Sequence, residues 1–117
     1  MDPILEELIQ KLPSFFVPQK AKGVNITAQL NLKEEEIDVW TLTVADQHCE
    51  VKHQRADRPN VTLTTTSTDL LAILSGKMNV TRAYMTGKIK LEGKITQALR
   101  LIDLFDIPDE LRTKINL

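Results

Sequence analysis

Residues 68–105 constrain the fold more than any other part of the chain. The segment reads TDLLAILSGKMNVTRAYMTGKIKLEGKITQALRLIDLF, and Gly76, Gly87 and Gly93 divide it. Apolar residues at helical spacing precede Gly76 and Gly87, an alternating run lies between Gly87 and Gly93, and another helical stripe follows. The segment therefore predicts two short helices, a strand and a third helix. It offers more apolar surface than one small core needs, and almost no groups for catalysis.

Capping residues predict where the helices of this segment begin and end. Thr66 or Ser67 is expected to cap the first helix, and Asp69 in its first turn suits the helix dipole. Gly76 is the expected residue beyond its end, and the second helix is expected over residues 79–86. The last helix carries one apolar stripe, formed by Ile95, Ala98, Leu99, Ile102 and Phe105.

Residues 24–65 have the alternating pattern of β-strands. The expected strands lie at residues 24–32, 37–44, 49–54 and 61–65. A charged turn at 33–36 and a tight turn at Asp46-Gln47 join the first three, which predicts an antiparallel meander. The connection before the fourth strand is longer and contains Pro59, so that strand is expected to enter the sheet elsewhere than beside the third.

Both ends of the chain predict helices. Asp2 and Pro3 form a favourable helix opening, and Pro13 ends the apolar run that follows. Residues 109–117 predict a last helix. Phe15 and Phe16 stand beside prolines, where consecutive aromatic residues either plug the edge of a core or contact a ligand.

Length, charge and cysteine content exclude several classes of protein. The 117 residues are expected to form one domain over residues 1–117. Net charge is −1, and lysines interleaved with acids do not predict a nucleic-acid-binding face. Cys49 is the only cysteine, so no internal disulfide is expected, and no apolar run reaches the ~18 residues of a spanning helix. The acidic N-terminus lacks the basic start of a secretory signal, so a cytoplasmic protein is expected.

His48, Cys49 and His53 form the only cluster that suggests thiol or metal chemistry. On a strand the two histidines point to opposite faces, and Cys49 lies roughly 13 Å from His53. A catalytic Cys–His pair needs hydrogen-bond contact, so neither catalysis nor metal binding is expected here. The carboxylates at 34–36 belong to a solvated turn, and the glycine spacing fits no phosphate-binding motif. We predict no catalytic residue, no metal site and no cofactor, and therefore no enzyme.

The apolar excess of residues 68–105 has two explanations: a cavity for an apolar ligand or an ordinary filled core. Periodicity does not decide between them. Burying fifteen methylenes of a fatty chain contributes at most about 12 kcal/mol, while association costs about 4–15 kcal/mol. This balance predicts modest, reversible binding that suits a lipid carrier. A dry cavity of about 300 Å³ costs roughly 7 kcal/mol, so the helices are expected to close in when no ligand is bound.

Two motifs resemble the sterol carrier protein type-2 family. They are VTLTTTSTDLLAILSGKMN at 61–79 and AYMTGKIKLEGK at 83–94. The segments PQKAKGVNITAQLNL and LIDLFD look like the version found as the C-terminal domain of alkyl sulfatases, whose metal-hydrolase portion is absent. Asp46-Gln47 replaces the usual Asp/Asn-Gly turn, and Lys94 replaces an acid or amide. The resemblance implies an α+β fold, in which a five-stranded, mostly antiparallel sheet has helices packed on one face that enclose a hydrophobic tunnel.

The resemblance also implies that the helix at 70–74, the short helix near residue 83 and the helix over 99–105 line this tunnel. Phe16, Trp40 and Met78 are added as candidate contacts. The predicted ligand-binding residues are Phe16, Trp40, Leu70, Leu74, Met78, Ala83, Tyr84, Met85, Leu99, Ile102 and Phe105.

The expected function is non-enzymatic binding and transfer of an apolar lipid, such as a fatty acid, a fatty acyl-CoA, a sterol or an alkyl chain. Two alternatives stay open. One is an accessory module that delivers substrate to an alkyl-processing enzyme, and the other is a dimerisation module whose apolar helix stripe seals against a second subunit. The expected partners are the lipid, a membrane surface or an enzyme for docking, and a second copy, but not nucleic acid.

Overall fold

The structure, a computed structural model, describes residues 3–108. Its elements in chain order are α1 (Pro3–Gln10), two 3₁₀ turns (Leu12–Phe15 and Pro18–Ala21), β1 (Ile26–Lys33), β2 (Ile37–Ala45), β3 (His48–Lys52), β4 (Val61–Thr65), α2 (Ser67–Leu74), α3 (Val80–Met85), β5 (Lys90–Gly93) and α4 (Ile95–Ile102). The predicted cap at Asp2 and the helix predicted at 109–117 lie outside the described residues. Within residues 3–108 no helix is long and apolar enough to cross a bilayer.

The five strands form one mixed sheet in the order β3-β2-β1-β4-β5. β1, β2 and β3 pair antiparallel, β4 pairs parallel with β1, and β5 pairs antiparallel with β4. The predicted meander and the separate entry of the fourth strand are therefore confirmed. Asp46 and Gln47 have φ of 51° and 60°, because a two-residue hairpin turn of this kind needs positive φ at both positions.

One face of the sheet is apolar and the other is polar. Leu30 faces Trp40 on one side and Leu63 on the other, so these side chains share the apolar face. The opposite face carries Thr27, Asn31, Thr43, Thr62 and Thr64. Residues that follow β3 cross part of this polar face, where the Thr41 hydroxyl donates to the Gln54 carbonyl at 2.7 Å.

The helices bury their apolar side chains against the apolar face. Ile9 of α1, Leu71 of α2 and Leu101 of α4 belong to the same core cluster as Leu30 and Trp40 of the sheet. The predicted α+β fold, with a mostly antiparallel five-stranded sheet and helices on one face, is thus confirmed.

Several predicted boundaries are wrong by a few residues; β1, for example, begins at Ile26 rather than at residue 24. α1 ends at Gln10 and is followed by a 3₁₀ turn, β3 ends at Lys52, and α4 ends at Ile102. The last turn of α4 tightens because the Leu104 amide donates to the Leu101 carbonyl at 3.1 Å. Phe105 therefore lies beyond the helix rather than on its apolar stripe.

Candidate functional site

Helix α2 is held at both ends by local hydrogen bonds. The Thr66 side chain accepts from the Asp69 amide at 3.0 Å and so is the N-cap. Gly76 has φ of 81°, and beyond it the Lys77 amide donates to the Ala72 carbonyl at 2.9 Å. This is a Schellman end, which satisfies carbonyls of the last turn. It places Lys77 directly after the helix C-terminus.

Helix α3 has the same construction. The Asn79 side chain accepts from the Arg82 amide at 2.9 Å. Gly87 has φ of 79°, and the Lys88 amide donates to the Ala83 carbonyl at 2.9 Å. Two lysines, Lys77 and Lys88, therefore follow two helix C-termini, where the helix dipole favours positive charge.

A pocket of about 540 Å³ lies where these helix ends meet, and we call it the α2–α3 pocket. Its lining consists of Gly76, Lys77, Met78, Asn79, Arg82, Ala83, Thr86 and Lys88. Ala83 is 1% exposed and belongs to the core cluster, and Met78 packs against that cluster. The pocket therefore has an apolar floor and a basic rim.

The charge of the rim is a feature of the pocket that the sequence reasoning missed. Lys77, Arg82, Lys88 and Lys90 are the charged residues between Asp69 and Glu92, so the expected interleaving of lysines with acids does not hold here. Lys90 pairs with Glu92 at 3.2 Å, but within residues 3–108 no carboxylate lies within ion-pair distance of Arg82 or Lys88. The absence of acidic residues between Asp69 and Glu92 was the sequence signal that could have revealed this basic rim.

The predicted ligand contacts differ in exposure. The buried members, all in the core cluster, are Trp40, Leu70, Leu74, Ala83 and Phe105. The half-buried members are Phe16, Met78, Leu99 and Ile102. Tyr84 and Met85 are 39% and 78% exposed. Of the whole set, Met78 and Ala83 line the α2–α3 pocket, and Met85 lines a neighbouring depression with Arg82.

Phe16 and Phe105 contact each other just beyond the C-terminal end of α4. Their ring centroids are 5.9 Å apart in an edge-on arrangement, and their backbones form an antiparallel bridge. The Val17 amide donates to the Leu104 carbonyl at 2.8 Å. These contacts match the plug interpretation of the paired phenylalanines.

Trp40 is a core residue with its polar atom satisfied. It is 1% exposed, and its indole N–H donates to Asp38 Oδ2 at 3.1 Å. His53 stacks on the indole with ring centroids 3.9 Å apart and also contacts Asp38 Oδ1, at 2.5 Å. Trp40 does not line the α2–α3 pocket.

Cys49 is unsuited to nucleophilic or metal chemistry. Burial raises the pKa of its thiol to about 12, so the reactive thiolate is scarce at neutral pH. Its pairing with Val44 puts Cys49 on the apolar face, whereas His48 pairs with Ala45 and points to the other face. The described residues contain no group of three side chains suited to holding a metal ion.

A second concavity, of about 730 Å³, is acidic. It is lined by Glu6, Glu34, Glu35, Glu36, Ile37, Asp38 and His53. Glu34 is half-buried and accepts a hydrogen bond from the Ser67 hydroxyl, which ties the charged turn to the start of α2. The prediction of a wholly solvated turn is therefore wrong at Glu34. Carboxylates around this concavity repel anionic ligands, whereas the basic rim of the α2–α3 pocket attracts them.

Comparison with known proteins points to one family. A relative from Caenorhabditis elegans, "Non-specific lipid-transfer protein-like 1", is 26% identical over 97% of this chain and 96% of its own. The solution structure of palmitated SCP2L2 from Aedes aegypti is 28% identical, covers 85% of this chain and 88% of its own, and has a TM-score of 0.67.

The fold also matches part of a larger protein. The stereoselective inverting sec-alkylsulfatase from Pseudomonas sp. has a TM-score of 0.79 at 19% identity, over 87% of this chain but 16% of its own. Other curated relatives likewise match this chain over about a fifth of their length. The model of the SCP-2 sterol transfer family matches residues 5–106. The chain therefore belongs to the SCP-2 sterol transfer family.

Proposed function

We propose that this chain binds and transfers a lipid with a long apolar chain, and that it catalyses no reaction on it. The observation that carries the proposal is the α2–α3 pocket, whose floor, formed by Met78 and Ala83, adjoins the core cluster. Its volume of about 540 Å³ falls within the roughly 300–1,000 Å³ of pockets that hold small ligands.

The apolar chain would enter between α2, α3 and the sheet. Leu70 and Leu74 are buried in the same core cluster as Ala83, so a ligand that enters the core there must displace them outward. α2 and α3 are only eight and six residues long, and we infer that they move outward when the ligand arrives.

Energetics favour such a closed, openable site over a permanent cavity. A dry cavity of about 300 Å³ would cost roughly 7 kcal/mol, a large share of the stability of a small domain. The packed core that the structure shows avoids this cost. Binding must then displace packed side chains, which lowers the net gain from burying the ligand and keeps binding reversible.

The nature of the ligand is supported by the relatives and by the rim. The mosquito relative of known structure is described as palmitated. Lys77, Arg82 and Lys88 surround the mouth of the pocket, where the head group of a fatty acid would remain while its chain contacts the apolar floor. We therefore favour a fatty acid or a fatty acyl-CoA, whose head groups are anionic, over an uncharged sterol.

A second candidate function is delivery of substrate to an alkyl-processing enzyme. Its support is the likeness of fold to one part of the sec-alkylsulfatase. Copurification of the chain with a separate metallohydrolase would favour this reading. The dimerisation module stays a prediction.

Binding is tested by displacement of a fluorescent fatty acid with palmitate. Wild-type protein is expected to bind saturably, and Ala83→Leu is expected to weaken binding at least about tenfold, because the larger side chain fills the pocket floor and overpacks the site. Ala21→Leu is the matched control, since Ala21 is equally buried but does not line the pocket.

Two outcomes would count against the proposal. Absence of saturable binding by wild-type protein with a normal circular dichroism spectrum would refute the carrier function. Equal affinity of the Ala83→Leu and wild-type proteins would place the ligand elsewhere.

A further inference from the structure

The face of the molecule around the α2–α3 pocket combines positive charge with an exposed apolar side chain. We call the surface formed by Lys77, Arg82, Met85 and Lys88 the basic face. Arg82 joins its parts, because it lines both the pocket that holds Lys77 and Lys88 and the neighbouring depression that holds Met85. The cations and the methionine therefore lie on one continuous surface.

No acidic residue close in sequence neutralises Arg82 or Lys88 of the basic face. No acidic residue occurs between Asp69 and Glu92, although the chain as a whole has a net charge of −1. Carboxylates instead gather around the acidic concavity at residues 34–38. The molecule is thus polarised, and its basic face attracts anions.

Exposed apolar residues distinguish the basic face from another basic part of the chain. Residues 8–33 also lack acids and include Lys20 and Lys22, but the large apolar side chains that are exposed within residues 3–108 lie outside that segment. They are Ile4, Ile37, Tyr84 and Met85. Ile37 lines the acidic concavity, whereas Met85, at 78% exposure, shares a surface depression with Arg82.

We propose that the basic face docks on the surface of a bilayer that contains anionic lipids, with the mouth of the α2–α3 pocket turned toward it. An acidic protein would satisfy the cations, but it would also need an apolar pocket placed to receive Met85. A bilayer surface supplies both anionic phosphates and an apolar layer beneath them. The reason to dock rests on the proposed lipid transfer, because a lipid would pass between bilayer and pocket without crossing water.

Vesicle sedimentation with ligand-free protein tests the docking. Wild-type protein is expected to bind vesicles of phosphatidylcholine with 30% phosphatidylglycerol, to bind pure phosphatidylcholine poorly, and to lose binding as salt is raised. A basic residue near an anionic bilayer contributes about fivefold in partitioning, so Arg82→Gln combined with Lys88→Gln is expected to weaken binding about 30-fold. Met85→Ser is expected to weaken it about tenfold through lost apolar insertion.

Each variant has a matched control elsewhere on the surface. Lys20→Gln combined with Lys22→Gln removes the same charge from exposed positions in the other acid-free segment. Ile37→Ser removes an exposed apolar side chain from the acidic side. Both controls are expected to change vesicle binding less than twofold, and circular dichroism confirms that all variants fold.

The outcomes separate this inference from the proposed function. Fatty-acid binding without any binding to phosphatidylglycerol vesicles overturns the docking and leaves the carrier function standing. Vesicle binding without fatty-acid binding overturns the carrier function and leaves the docking standing. Equal losses in the two double variants, or sedimentation of the protein without vesicles through self-association at low salt, would show that the basic face is not a membrane surface.

Discussion

Gly93 is the residue whose substitution the structure allows us to evaluate most directly. It ends β5 with φ of 91°, and a Cβ added there would lie 2.4 Å from the Asn60 carbonyl oxygen. That oxygen accepts from the Lys94 amide at 3.0 Å, and the Asn60 side chain accepts from the Thr27 amide at 2.7 Å. Gly93→Ala therefore disturbs the junction of β1, β4, β5 and α4.

Two effects add in this variant. A left-handed conformation costs an L-residue about 1–2 kcal/mol. Separating the Cβ from the Asn60 oxygen moves the backbone and weakens the Lys94–Asn60 hydrogen bond, which contributes about another 0.5–1.5 kcal/mol. Gly76→Ala is the control, because Gly76 has φ of 81° but no neighbouring atom within 4 Å of its Cβ position. We expect losses of about 1.5–3.5 kcal/mol for Gly93→Ala and about 1–2 kcal/mol for Gly76→Ala.

Urea denaturation followed by Trp40 fluorescence measures both free energies of unfolding. With a slope of about 1–3 kcal/mol per molar urea, the expected losses move the midpoint by roughly a molar unit or more for Gly93→Ala. The reasoning is refuted if the two variants unfold at the same urea concentration, since the clash with Asn60 would then cost nothing.

Two further predictions concern Cys49 and Trp40. Burial raises the pKa of Cys49 from 9.0 to about 12, so its thiolate population at pH 8 is about a thousandfold smaller than in the unfolded chain. Ellman's reagent should therefore label the folded protein far more slowly than protein in urea. Equal labelling rates would contradict the burial. The unfolded chain ionises this thiol first, so its contribution to stability is lost as pH rises from about 9 to about 12, and Cys49→Ala should remove that part of the pH dependence. His53→Ala uncovers the indole of Trp40, the only tryptophan, and should shift its emission to longer wavelength. His48→Ala, on the other face of β3, should leave the spectrum unchanged, and a similar shift in both variants would argue against the stacking.

The sheet and its helices were largely predictable from local patterns. The alternation in β1 and β2, the turn residues Asp46-Gln47 and the caps Thr66 and Asn79 act over a few residues, so the sequence shows them directly. Helix ends were less predictable. Phe105 continues the spacing of the α4 stripe, but its backbone pairs with Phe16, a contact between residues far apart in the chain.

The predicted ligand contacts are gathered at one place only in part. Met78 and Ala83 line the α2–α3 pocket, and their role in binding stays a prediction. Trp40 was predicted as a ligand contact. In the structure its indole N–H donates to Asp38, and His53 stacks on one face of its ring. Exposure of Tyr84 and Met85 could not be deduced from spacing, because a six-residue helix has too few turns to define its buried face.

By itself, the sequence determined the strand and helix pattern and the family, because these depend on residue type and short-range spacing. Only the tertiary structure decided which side chains meet. Two Schellman ends bring Lys77, Arg82 and Lys88 around one apolar floor, and the antiparallel pairing of β4 with β5 brings Asn60 against Gly93. Such contacts join residues separated along the chain, and their geometry is fixed by packing rather than by any local pattern.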